Sequence, residues 1–133
     1  MKLHQSFESS FRVYIEDTDS MGIMYHANYL KFFERARTDM LREQGFSLVE
    51  LASQQVFFAI QNAQIEFLFP ARLDDTITIQ TQLVKQTLCS LLFEQSMQNV
   101  DNKRLSQLTV LVVCVNAHMK PQRLPWNGDS LHV

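Results

Sequence analysis

Between residues 28 and 44, apolar side chains return with helical spacing. Tyr29, Phe33, Ala36 and Met40 stand at i, i+4, i+7 and i+11, with Leu30 and Leu41 beside them. Arg35, Asp39, Arg42 and Glu43 occupy other faces. The pattern predicts one amphipathic helix, roughly 25 Å long at ~1.5 Å per residue. Asn28 stands where it could cap the start, and Gly45 where a glycine stops a helix. Ahead of it, FRVYIED (11–17) is aromatic and β-branched and predicts a first strand. SLVELASQ (47–54) predicts a short second helix. From there the period drops to that of strands: VFFAIQNAQIEFLF (56–69), DTITIQTQLVKQ (75–86), SLLFEQSMQNV (90–100) and RLSQLTVLVVCVNA (104–117). PARLDD, TLC and DNK supply turns between them. Strand, long helix, four strands is the order of an α+β domain with one helix laid on a largely antiparallel sheet.

The last strand breaks the simple pattern. Leu108, Val110, Val112 and Cys114 alternate with Thr109, Leu111, Val113 and Val115, so both faces are apolar. One helix covers one face of a sheet, and little chain remains to cover the other. A second subunit is therefore expected against it.

Composition narrows the function classes. A chain of 133 residues is expected to form a single domain over 1–133, and 46% hydrophobic with 20% charged residues is a normal globular balance. The net charge of −2 argues against a nucleic-acid partner. Cys89 and Cys114 lack metal-ligand spacing and read as free thiols of a reducing compartment. MKLHQSFESS has no signal-peptide pattern, and no run of apolar residues approaches a membrane span, so a cytoplasmic protein without an integral membrane segment is expected.

The candidate chemistry lies in EDTDSMGIMYHANYLKFFERART (16–38), where three acids within four residues precede a glycine, a histidine and the long helix. A helix start presents unpaired amides and a positive dipole end, which can stabilise an oxyanion developing on a bound carbonyl. If Asp19 and GIMYHAN share a pocket, the site combines a carboxylate base or nucleophile with an oxyanion hole. Gly22 would let the backbone approach a ligand closely. The commoner arrangement of such residues is an Asx turn, closed by Asp19 and permitted by Gly22.

The same stretch resembles the hot-dog thioesterases of the 4-hydroxybenzoyl-CoA thioesterase class, and most nearly their bacterial Tol-Pal-associated acyl-CoA thioesterase branch. The motif D-x-D-x-x-G-x-x-x-H-x-x-Y is met by Asp17, Asp19, Gly22, His26 and Tyr29, and the likeness runs on through EFLFPARLDDTITIQTQL, TVLVVCVN and MKPQRLP. The resemblance implies a curved antiparallel sheet wrapped around one long central helix. It also implies a homodimer or homotetramer with active sites between subunits, and hydrolysis of acyl thioesters on CoA or carrier protein without a cofactor. It places the chemistry on Asp19 as nucleophile or general base, with the His26 amide as oxyanion donor and the His26 side chain orienting water or substrate. Asp17 and Glu16 would shape the loop. Gly22, Tyr25, Tyr29 and Glu34 would line the substrate, although Glu34 could equally form an i,i+3 pair with Arg37.

Other constellations are missing. There is no G-x-S-x-G elbow, no cysteine in a recognisable catalytic context, no Gly-rich phosphate loop, and no metal spacing among His4, His26, His118 and His132. VKQTLCSL offers Lys85 but no arginine where some relatives grip the CoA phosphates. Recognition is thus expected to centre on the thioester and pantetheine arm, with Lys85, Arg104, Lys120 and Arg123 as remaining cations. A hot-dog dehydratase or hydratase, or a non-catalytic acyl-thioester binder, are the competing functions.

Overall fold

The computed structural model describes residues 1–126. Seven regular elements follow in chain order: β1 (Ser6–Arg12), α1 (Asn28–Glu43), α2 (Leu48–Ser53), β2 (Phe57–Phe67), β3 (Thr76–Gln86), β4 (Ser90–Gln98) and β5 (Arg104–Val115). The strands form one sheet in the order β1-β3-β4-β5-β2, and every neighbouring pair is antiparallel. Period-two alternation decides which face turns inward. Ile77, Ile79 and Leu83 of β3, Leu91, Phe93 and Met97 of β4, and Leu108, Val110 and Cys114 of β5 are buried, while Thr78, Gln80, Glu94 and Ser96 point to the other face. Tyr29, Phe32, Phe33, Ala36, Met40 and Leu41 of α1 fill the concave side, which makes helix and sheet one core.

One polar chain crosses this core. Arg37 Nη1 donates to Gln95 Oε1 at 2.9 Å, and Gln95 Nε2 donates to both the Phe33 carbonyl and Thr81 Oγ1, each at 2.9 Å. A buried donor without an acceptor is costly, so α1 has one rotation and one depth that satisfy all of these groups. The helix ends as its glycine requires. Gly45 has φ +92°, its N–H donates to the Arg42 carbonyl, and the Phe46 N–H donates to that of Leu41, the two bonds of a Schellman motif.

Two local expectations are corrected. The first strand covers Ser6–Arg12 rather than residues 11–17. Arg12 pairs with Thr76, the first residue of β3, so the chain beyond it has no ladder to join. Residues Ile15–Asp17 instead make a single 3-10 turn in which the Asp17 carboxylate accepts the Tyr14 N–H. Asn28 is the first residue of α1 rather than its cap; Ala27 holds the cap position and makes no side-chain bond. In β5 the second face is only half covered, with Leu111 and Val113 partly exposed.

β2 lies at the sheet edge and is mostly exposed, with a bulge between Ile60 and Asn62. It brackets the region of interest, because the start of α1 lies near its Phe67 end; Tyr29 and Phe67 meet edge-on at 5.1 Å.

Candidate active site

The segment between β1 and α1 folds as a small hairpin. Thr18 and Met24 bridge, the Asp19 N–H donates to the Ile23 carbonyl at 3.0 Å, and the Gly22 N–H returns to the Asp19 carbonyl at 3.1 Å. Gly22 has φ +74°, a conformation L side chains adopt at a cost, and that explains the glycine. Asp19 sits exposed at the tip. Its Oδ1 accepts the Met21 N–H at 2.8 Å, an Asx turn, and Oδ2 has no partner among the described residues. The carboxylate is thus oriented by one oxygen and free at the other.

The hairpin is tied down on both sides. Met24 N–H donates to the Ala71 carbonyl, Leu73 N–H to that of Gly22, and Ala71 N–H to the Tyr29 hydroxyl at 3.0 Å. Burial raises the Tyr29 phenol above its usual range, while the Ala71 N–H acts to lower it. After the hairpin, Tyr25 N–H returns to the Asp17 carbonyl and Asn28 N–H to the Tyr25 carbonyl. The His26 and Ala27 N–H groups, immediately before α1, make no hydrogen bond among the described residues. Two free amides at the positive end of a 16-residue helix are suited to a negative oxygen.

A cavity of about 300 Å³ opens here, lined by Ile23, Met24, His26, Tyr29, Phe67, Leu68, Phe69 and Pro70. Its walls are mainly apolar, and Lys103 covers the Phe69 ring at 3.6 Å. Tyr25 stacks at a tilt on His26, with ring centroids 4.5 Å apart and both side chains exposed.

Glu34 lies elsewhere. It borders a second cavity of about 340 Å³ with Arg37, Thr38, Leu41, Leu48, Ala52, Val56, Phe57, Phe58, Ile60, Leu91, Phe93 and Val112. Arg42–Asp39 is the one ion pair among the described residues, so Glu34 and Arg37 form none. Burial lowers the Arg37 guanidinium pKa, and Glu34 works against this. Within one chain, then, His26 and Tyr29 share a cavity, Asp19 stands on the adjoining hairpin, and Glu34 belongs to a separate hollow at the other end of β2. Lys85, Arg104, Lys120 and Arg123 are all exposed.

Sequence reasoning missed Arg37, Gln95 and the Phe67–Pro70 wall. The signal for Arg37 was its place one turn beyond Phe33 on the apolar side of the helix; nothing in the local pattern announces Gln95. No group of three or more His, Cys, Asp or Glu residues that could hold a metal occurs among the described residues, and His132 lies outside them. No described helix is long and apolar enough to cross a membrane.

Comparison with known proteins identifies the family and agrees with the fold. A family model described as the thioesterase-like superfamily matches residues 13–129. The acyl-CoA thioester hydrolase YbgC of Escherichia coli O6:H1 is 46% identical over 120 residues, covering 90% of each chain. The acyl-CoA thioesterase YbgC of Haemophilus influenzae is 40% identical over 125 residues, 92% of this chain and 91% of that one. Among solved structures, a probable thioesterase from Bartonella henselae superposes with a TM-score of 0.87 at 35% identity, over 91% of this chain and all of the other.

Proposed function

Because the chain belongs to the thioesterase-like superfamily, we propose that it is an acyl-CoA thioesterase in which Asp19, His26 and the entrance of α1 carry the reaction. It is a hot-dog thioesterase that hydrolyses acyl thioesters to free acid and thiol. The observation behind the assignment of residues is the pair of unpartnered amides at His26 and Ala27, beside an apolar cavity and next to the Asp19 hairpin.

A thioester needs modest help, since thiolate is a good leaving group. Its carbonyl oxygen points at the His26 amide, where charge develops in the transition state. Either the free Oδ2 of Asp19 attacks the carbonyl carbon, expelling the thiolate and leaving a mixed anhydride that water then hydrolyses, or it takes a proton from a water that attacks directly. In both routes the thiolate departs and is protonated to the thiol. The His26 imidazole orients water or substrate, and Tyr25 and Tyr29 flank the reacting end. Gly22 allows the tight turn that presents the exposed Asp19 on the hairpin adjoining the cavity. The thiol is carried by CoA or by a carrier protein through its pantetheine arm.

The active unit is a homodimer formed through β2. This strand is an open edge, and Ile60 on it is 54% exposed. Antiparallel pairing of two β2 strands runs the Phe67 end of one along the Phe57 end of the other. The His26 cavity of one copy then adjoins the Glu34 hollow of its partner, which gives Glu34 its place near the acyl group. A decisive test follows thiol release from a panel of acyl-CoA and acyl-carrier-protein thioesters by the wild type and by Asp19→Asn. Hydrolysis by both to the same extent would remove Asp19 from the mechanism.

A further inference from the structure

Asp17 is the one buried carboxylate among the described residues, 7% exposed, and no cation pairs with it. An unpaired buried charge is expensive unless hydrogen bonds hold it. Here two bonds to the carboxylate do so: Oδ2 accepts the Tyr14 N–H at 2.9 Å and Oδ1 accepts Asn28 Nδ2 at 3.3 Å. The backbone carbonyl of Asp17 accepts the Tyr25 N–H at 2.9 Å as well. Asp17 thereby clips together the segment just after β1, the residue before the free amides, and the first residue of α1. The loop it closes, residues 18–24, is the one that bears Asp19. A single hydroxyl could cap the 3-10 turn alone; reaching Asn28 as well takes a side chain with two hydrogen-bonding heads, which Asp17 supplies as Oδ1 and Oδ2.

We infer that Asp17 and Asn28 are a positioning pair, which fixes the separation between the Asp19 carboxylate and the His26 and Ala27 amides. This rests on the mechanism proposed above. Neither residue touches the reacting atoms. Their bond sets how the hairpin sits against the helix start, and a shift of about 1 Å between groups that act together costs on the order of 10²-fold in rate.

Reversing the bond tests this. Asn28→Asp sets two carboxylates face to face, so kcat should fall at least about tenfold at pH 8. It should recover as the pH is lowered, because protonating either acid restores a donor. In Asp17→Asn/Asn28→Asp the polarity is inverted but the geometry is kept. The carboxamide oxygen at position 17 can still take the Tyr14 N–H, while its nitrogen donates to the acid at position 28, which the helix dipole favours. That double variant should return to within about threefold of wild-type kcat at pH 8, with KM little changed throughout. Should Asn28→Asp fail to fold, Asn28→Ala removes the donor without adding charge, and its kcat should fall at every pH. Wild-type kcat in a folded Asn28→Asp or Asn28→Ala would overturn the inference, as would a double variant with wild-type thermal stability that stays as slow as Asn28→Asp. Asp19→Asn separates the two levels. If it is inactive while the Asn28 variants are unimpaired, only the positioning role fails; if it is active, the mechanism itself fails.

Discussion

Asp19 and Asp17 are two residues apart and have opposite fates: one stands exposed with a free oxygen, the other is buried with both oxygens engaged. Sequence motif alone shows two acids; the hydrogen bonds sort them. Asp19→Asn keeps the size and the bond to Met21 but removes the charge and nearly all the basicity. Hydrolysis should fall ~10²-fold or more, the scale of general acid–base catalysis alone. The loss should appear in kcat rather than KM, because the amides and the acyl cavity remain. A second residue-scale consequence concerns pH. Burial, with Cys89 adding to it, pushes the Cys114 thiol from 9.0 up to about 11. The folded state holds this proton more tightly than the unfolded one, so the stability it contributes is complete below pH 9 and is lost as the pH climbs toward 11. Melting temperature should decline over that window, and less steeply in Cys114→Ala. Tyr29, also raised by burial, would account for part of the slope that remains.

At the scale of elements, α1 was legible almost to the residue, because an amphipathic stripe and a terminal glycine are local signals. Gly45→Ala tests the second of these. A Cβ there meets nothing within 4 Å, so the whole cost is the left-handed backbone conformation. About 1 kcal/mol, or a few degrees in melting temperature, is expected by thermal denaturation, with hydrolysis rates unchanged at about 25 °C. The four later strands are equally readable, β3 and β4 from their alternation, β2 and β5 from β-branched and aromatic runs bounded by turns. The first strand was misplaced, since where it ends depends on where β3 begins, far along the chain, and FRVYIED holds no trace of that. Asn28 was misjudged for a related reason. Its type suits a cap, but its amide is drawn to a carboxylate 11 positions back. The candidate site residues stand together as a motif in the sequence; their distribution over two cavities does not show there, because only the sheet order reveals which strand is the edge.

For the whole molecule, the proposed pairing of two β2 edges would tie assembly to activity. Light scattering at micromolar concentration should find a dimer or a multiple of it. Gln61 lies in the bulge, outside the paired register with β5. Proline is tolerated at such positions yet removes an edge donor. Gln61→Pro should therefore leave the circular dichroism spectrum intact, shift the protein toward monomer, and depress hydrolysis in step with the dimer fraction. A wild-type monomer with full activity would contradict the composite site. With β2 as the proposed dimer seam, the same edge would also set a clock on biogenesis. Two copies meeting at a typical rate of about 10⁵–10⁷ M⁻¹ s⁻¹ need roughly 0.1–10 s at about 1 µM. For that interval each newly made chain carries an 11-residue strand that any passing β-segment could extend. The bulge interrupts its hydrogen-bonding row, and Asn62, Gln64 and Glu66 stud one of its faces with polar groups, so stray strand addition is resisted during the seconds when the correct counterpart is still absent.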